Sequence, residues 1–306
     1  GSDQTGSAVV DHLRSLGISI HVGHTASDIE GAEFVIRTAA IHDDNPEIAA
    51  AHRKGIPVFE RAEAWGAIMQ QYENAVCIAG THGKTTTTSM TTHIFMAAQA
   101  DPTVMIGGTL PMLHSGYRVG RGDTIILESC EYYNSFLHFF PTVAVVLNVE
   151  ADHLDFFKDL DDIKQSFRRF AQLTPQDGHI VANADDAGAM DALKGLPLFT
   201  FGCCEGADCQ ARNLTWQHGR PDFDVVAGGE VYTHLSLRVA GLHNVYNALA
   251  AASAAYVLGI PGKAVRQGLE GFFGAGRRFE LKGQYNGARI YDDYAHHPAE
   301  LHALLD

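Results

Sequence analysis

Residues 75–79 (Ala-Val-Cys-Ile-Ala) form an apolar run that passes straight into Gly80-Thr81-His82-Gly83-Lys84-Thr85-Thr86-Thr87-Thr88. A buried strand, a glycine-bearing turn and a following helix leave few folds open. The turn and the helix N-terminus aim backbone N–H groups at one spot, which suits phosphate oxygens. Lys84 adds a point charge for β- and γ-phosphates, and the Thr85 hydroxyl can ligate Mg²⁺. The general phosphate-loop pattern would put its first glycine at residue 78, which is Ile78. The loop is therefore a shorter variant, with Gly80, Thr81, His82, Gly83, Lys84, Thr85 and Thr86 as candidate ATP-binding residues.

A loop of this kind needs an acidic group at a nearby strand end to hold magnesium. Glu128 closes the apolar strand 124–128, and Glu131 follows three residues on. The next apolar run, 142–148, reads as a central parallel strand. It leads into Asn148-Val-Glu150-Ala-Asp152-His153-Leu-Asp155, a polar cluster at the sheet edge where open α/β sheets bind ligands. Either cluster alone reads as a solvated loop. Two of them at the strand ends of one phosphate-loop sheet point to a cation site.

The remainder of the chain fits an α/β protein. Residues 1–72 alternate short strands (18–22, 34–37, 57–59) with helices, one of them capped by Asn45 with Pro46 at its first position. That alternation predicts a parallel sheet with helices on its faces. After a further strand at 103–106, residues 162–172 read as a helix with Ile163, Phe167 and Phe170 on one face. From about 197 to 240 the spacing changes to short alternating strands with a hairpin turn at Gly228-Gly229, which predicts a small antiparallel sheet. Helices return at 244–258 and 262–271, and a strand (Ile290, Tyr291), a loop with Pro298 and a short helix follow. The expected domains are 1–72, Rossmann-like and lacking its first strand; 73–285, the phosphate-loop domain; and 286–306, the start of a third α/β domain that is largely missing.

Composition narrows the function classes. The 306 residues are 46% apolar with a net charge of −14, so a large core forms and broad polyanion binding is disfavoured. Neither nucleic acid nor a membrane is an expected partner; no apolar run spans a bilayer and none resembles a signal peptide. Five cysteines, two of them adjacent, suit a reducing cytoplasm. Cys203, Cys204 and Cys209 lack zinc spacing, and Cys130 reads as a buried bystander.

Taken in order, the loop 80–88, Glu128 with Glu131, Asn148 to Asp155, Gly241-Leu-His-Asn244-Val-Tyr-Asn247, Gly276-Arg-Arg-Phe-Glu280 and Asp292-Asp-Tyr-Ala-His-His-Pro298 resemble the Mur ligases. The opening Gly1-Ser2-Asp3, Gly23-His24 and Asn45-Pro46-Glu47 resemble that family's UDP-binding domain. The resemblance implies ATP-dependent joining of L-alanine to the carboxylate of UDP-N-acetylmuramate through an acyl phosphate, with ATP and Mg²⁺ required. It implies that Lys84, His153 and Arg278 are catalytic, with Arg278 as phosphate clamp and Arg277 beside it. Thr85 and Glu128 would hold one magnesium and His153 a second. Asn244 and Asn247 would read adenine, Asp292 and His296 would approach ATP, and Ser2, Asp3 and His24 would hold the UDP-sugar.

Two departures stand out. Cys130 occupies the place where the motif commonly has Asp, and Phe167 stands where later-acting members carry a carbamylated lysine. The second departure agrees with the alanine-adding member. Other readings remain: a ligase using UDP-muramate with tripeptide, a folylpolyglutamate synthase-like enzyme, or a truncated nucleotide-binding module; with its third domain largely missing, the chain as given is expected to bind ATP or UDP-sugar and turn over negligibly.

Overall fold

A computed structural model of the chain describes residues 1–295 and 301. The chain divides into two compact units, Gly1–Ile68 and the remainder from Met69 onward. In the first unit, β1 (Ser2–Asp3), α1 (Ala8–Ser15), β2 (His21–Val22), β3 (Val35–Arg37), α2 (Pro46–Lys54), β4 (Val58–Glu60) and α3 (Arg61–Met69) follow one another. β1 pairs in parallel with β2, and β3 with β4. At the start of the chain, Ser2–Asp3 form a two-residue strand. The strand expected at 18–22 is shortened to His21–Val22. Asn45 caps α2 through Glu47 N, Pro46 takes its first turn, and left-handed Gly55 ends it. Ile29, Ala50 and Ala51 form the small core of this unit.

The second unit continues with β5 (Asn74–Ala79), α4 (Lys84–Ala97), β6 (Thr103–Leu110), β7 (Ser115–Arg118), β8 (Thr124–Glu128), a 3₁₀ turn (Tyr132–His138) and β9 (Val143–Val146). Next come α5 (Leu160–Ala171), β10 (His179–Asn183), α6 (Ala187–Ala192), β11 (Phe199–Gly202), β12 (Cys209–Gln217), β13 (Arg220–Ala227) and β14 (Glu230–Ser236). The last elements are α7 (Leu242–Val257), α8 (Gly262–Glu270), β15 (Glu280–Tyr285) and β16 (Ala288–Asp292).

Ten strands form one sheet in the order β14-β13-β12-β11-β10-β9-β5-β8-β6-β7. Strands β6, β8, β5, β9, β10, β11 and β12 run parallel, and β12–β13–β14 continue the same sheet as its antiparallel wing. The expected antiparallel strands are therefore fused to the parallel ones. Residues 75–79 and 143–146 are wholly buried because helices cover both faces, which is why those strands read as continuous apolar runs.

α4 is built of buried hydroxyls: Thr85, Thr87, Thr88, Ser89, Thr91 and Thr92. Ser89, Thr88, Thr91 and Thr92 each donate to the carbonyl four residues back at 2.7–2.8 Å, so burial leaves these groups satisfied. α8 crosses α4 so closely that a Cβ on Gly268 would lie 2.6 Å from Ile94 Cα. On α5, Ile163, Phe167 and Phe170 are buried as the spacing predicts, and Phe136 stacks on Phe170 at 4.7 Å. The helix starts two residues earlier than expected because Asp159 caps it through Asp162 N.

β15 and β16 pair from Glu280↔Asp292 to Tyr285↔Ala288, so the expected boundary at 286 falls in the turn of this hairpin. His296 and Pro298 lie outside the described residues. Among the described residues, no helix is long and apolar enough to cross a membrane.

Candidate functional site

The site is built where β5, β8 and β9 end. Gly80 and Gly83 hold φ of +153° and +83°, conformations that favour glycine. Space demands glycine as well. A Cβ on Gly80 would lie 2.8 Å from Leu147 Cβ, and one on Gly83 2.6 Å from Asn247 Oδ1. The loop leans on the segment after β9. Thr81 N donates to Asn148 O at 3.1 Å, and His82 N donates to Asn148 Oδ1 at 2.7 Å. Asn148 Nδ2 returns a bond to His82 O at 3.1 Å, and Glu150 N donates to Thr81 Oγ1 at 2.9 Å. Gly83 caps α4 without a side chain, so the N–H groups of the first turn, which includes Thr85 and Thr86, face the loop's concavity.

Lys84 Nζ donates to Gly80 O at 2.5 Å, to Thr81 O at 3.1 Å and to both oxygens of Glu131 at 2.9 and 3.1 Å. Burial alone would push the ammonium's pKa down, but the Glu131 carboxylate beside it holds it above its ordinary value. The neighbouring Thr85 hydroxyl donates to Glu128 Oε1 at 3.0 Å, and Glu128 Oε2 accepts Gly107 N at 2.7 Å. A Cβ at 107 would lie 2.7 Å from Glu128 Oε1, so glycine there leaves room for the carboxylate in this position. Thr85 and Glu128, paired on the sequence, are therefore brought together.

His153 stands with other partners. Its Nε2 is 3.9 Å from Glu131 and 3.8 Å from Asp152, and the three side chains offer ligand atoms all within 4.8 Å of one another. Its backbone holds φ +51°, and the Tyr132 ring stacks on the imidazole at 4.4 Å. The Tyr132 hydroxyl in turn donates to Asp155, which holds that carboxyl below its usual range. Oxygen donors at Thr85–Glu128, and oxygens with one imidazole at Glu131–Asp152–His153, fit a hard divalent cation. His82 Nε2 lies 3.5 Å from Glu150.

Asn244 and Asn247 sit one turn apart on α7, both buried, with their amides bonded inward. Asn247 Oδ1 accepts from Thr87, its Nδ2 donates to Asn244 Oδ1, and Asn244 Nδ2 donates to Ala240 O. This ties α7 to the loop helix. Arg277, Arg278, Asp292 and Tyr294 form a separate cluster at the base of the β15–β16 hairpin. Both guanidinium groups lie over the Tyr294 ring at 5.0 and 5.2 Å, and Arg277 Nε is 3.7 Å from Asp292. Gly276 N donates to Thr109 O, two residues from the Gly107 that backs Glu128. In the first unit, Ser2 Oγ is 3.1 Å from His24 Nδ1, which lies 3.4 Å from Glu47; Asp3 ends β1 beside them.

Cys130 is a correction. It is exposed rather than buried, because past the end of β8 at Glu128 its side chain faces outward while those of Ser129 and Glu131 on either side are buried. Partial desolvation, with Glu131 adjacent, pushes its thiol up, so it is not an activated nucleophile. The sequence placed Asn148 and Asp152 in the strand-end cation cluster without giving either its own partner, assigned no role to Gly107-Gly108, and did not pair Glu131 with Lys84. The two adjacent glycines, which lie inside β6, were the one local signal of close approach there.

The model described as "Mur ligase family, catalytic domain" matches residues 1–73, and that described as "Mur ligase middle domain" matches residues 78–255. The UDP-N-acetylmuramate–L-alanine ligase of Caldanaerobacter subterraneus subsp. tengcongensis is 45% identical over 309 residues, covering 100% of this chain and 67% of the relative. That of Clostridium novyi is 44% identical over 308 residues, with the same coverage. The structure of UDP-N-acetylmuramate-alanine ligase from Thermotoga maritima matches with a TM-score of 0.85 at 31% identity, covering 100% of this chain and 70% of that one. A UDP-N-acetylmuramate:L-alanyl-γ-D-glutamyl-meso-diaminopimelate ligase from Neisseria meningitides matches with a TM-score of 0.79 at 26% identity, covering 89% of each chain.

Proposed function

The chain belongs to the Mur ligase family, and from that premise we propose that it joins L-alanine to the carboxylate of UDP-N-acetylmuramate with ATP, in cytoplasmic peptidoglycan precursor synthesis. The observation that carries the reading is the 44–45% identity, along the full chain, to relatives named for that reaction. Between solved structures, the alanine ligase of Thermotoga maritima is 31% identical with a TM-score of 0.85, against 26% and 0.79 for the ligase of Neisseria meningitides.

The chemistry requires activation, since a carboxylate is a poor electrophile. Taking the γ-phosphoryl group converts one of its oxygens into a leaving group, and the amine of alanine then displaces phosphate. The N–H groups of α4 and Lys84 hold the β- and γ-phosphates in this reading, and the rigid Asn148 clip keeps the loop shaped for them. Thr85 with Glu128, and His153 with its carboxylate neighbours, are the residues that would hold Mg²⁺. When bound, Mg²⁺ cancels repulsion between the two anions and draws charge from the transferred phosphoryl group. In this reading Asn244 and Asn247 read adenine, Arg278 clamps phosphate, and Asp292 and His296 are the residues that approach ATP. Residues 1–72, with Ser2, Asp3 and His24, take the UDP-sugar; 73–285 take ATP; and those from 286 face the amino acid.

The test is phosphate release from ATP by the intact protein with UDP-N-acetylmuramate and either L-alanine or a tripeptide as amine, with binding of each nucleotide followed by calorimetry. Release is expected with alanine and not with tripeptide, and Lys84→Met is expected to lower it by about 10²- to 10³-fold. Release with tripeptide alone would assign the recycling reaction instead. Nucleotide binding without release for either amine would point to a binding module.

A further inference from the structure

Lys84 reaches four acceptors with three protons: two loop carbonyls and both oxygens of Glu131. An arriving phosphate must take the place of one of them. The carbonyls of Gly80 and Thr81 belong to a backbone fixed from β9, so the side chain of Glu131 is the partner that can yield. Glu131 is 2% exposed, and a buried carboxylate does not persist without a counter-charge. Its other neighbours are His153 and Asp152, with His153 Nε2 at 3.9 Å. That side is held still, with the imidazole stacked on Tyr132 and Tyr132 bonded to Asp155.

We infer that Glu131 is a positioning residue with two partners used in turn. It is counter-ion to Lys84 while phosphate is absent, and it turns to the cation on the His153 side once phosphate has engaged the lysine. This rests on the loop being the ATP site. A cation arriving first must share Glu131 with an ammonium 2.9 Å away, and a phosphate arriving first must compete with Glu131. Each event removes the obstacle to the other, so the two bindings are positively linked, and reciprocally so.

The experiment measures two affinities separately on the full chain. Mn²⁺ without nucleotide is titrated by its free-ion electron paramagnetic resonance signal, and ATP without metal is titrated in chelator by calorimetry. Glu131→Gln is expected to tighten metal-free ATP about tenfold and to weaken Mn²⁺ by a similar factor. Lys84→Met, which frees the carboxylate, is expected to tighten Mn²⁺. A merely structural Glu131 would lose both ligands together. Glu131→Gln weakening both or altering neither, or Lys84→Met leaving Mn²⁺ no tighter, would overturn the proposal. Inorganic tripolyphosphate is run beside ATP. The crossed pattern with tripolyphosphate but no ATP binding would keep the role of Glu131 and remove the ATP reading. ATP binding without the crossed pattern would do the reverse.

Discussion

Two glycine turns join buried segments of the second unit, and they are held in different ways. Gly228-Gly229 closes β13 onto β14 with φ of +61° and +84°, and the strands pair directly from Ala227↔Glu230 outward. Two residues tolerant of positive φ form the turn, and among the described residues the one remote group close to it is the Tyr256 hydroxyl, 2.4 Å from where a Cβ on Gly228 would lie. The loop from Gly80 to Gly83 is shaped by partners far away in sequence: Asn148 and Glu150, 66 and 69 residues on, and Asn247 on another helix. The hairpin is a local solution. The phosphate loop exists only once the sheet has ordered β5 beside β9.

That difference can be broken by adding a single methyl group to each turn. Gly80→Ala drives a Cβ to 2.8 Å from Leu147 Cβ at unfavourable φ, and a cost of about 3 kcal/mol with loss of ATP binding is expected. Denaturant midpoints and calorimetry check both. Asn148→Ala tests the remote support directly. It strips two hydrogen bonds from His82 and should cost about 2 kcal/mol and weaken ATP roughly tenfold. Gly229→Ala meets nothing within 4 Å, so only its backbone strain of about 1 kcal/mol is expected, with ATP binding unchanged. An equal loss from Gly80→Ala and Gly229→Ala would erase the distinction.

The smallest effect lies at the far end of α4. Burial holds the His93 imidazole below its ordinary 6.5, against the opposing Gly268 backbone hydrogen bond. The folded state therefore resists protonation there. Stability from this group is full above pH 6.5 and declines as pH falls from 6.5 through the lower folded value. His93→Gln should flatten that part of a plot of thermal midpoint against pH between 8 and 5, whereas the Gly80 and Asn148 variants should keep its slope.

The same contrast explains what the sequence disclosed. The loop's Gly-Lys-Thr pattern, the cap at Asn45 and the Gly228-Gly229 hairpin were legible because each shows itself within a few consecutive residues, although remote partners fix the loop's shape. Glu128 was legible as a strand end facing Thr85. Glu131 could be seen but not partnered, since its lysine is 47 residues away and nothing in Glu-Ser-Cys-Glu orders the two carboxylates. The run 142–148 looked like one strand, yet the ladder stops at Val146 because Leu147 and Asn148 turn to support the loop. β7 (Ser-Gly-Tyr-Arg) and β15 (Glu-Leu-Lys-Gly-Gln-Tyr) lack any apolar run, so pattern alone does not reveal them.

Fusing the antiparallel wing to the parallel strands leaves the main sheet just two edges, β14 and β7. β7 offers only four residues. On β14, the start of α8 presses against the Tyr232 carbonyl, where a Cβ on Gly262 would come within 2.0 Å, and the Tyr232 hydroxyl donates to Ile260 O. A second molecule seeking to add its own strand thus meets one edge too short and another obstructed by a helix. Such fusion guards the sheet against edge-to-edge self-association as the chain accumulates in a crowded cell.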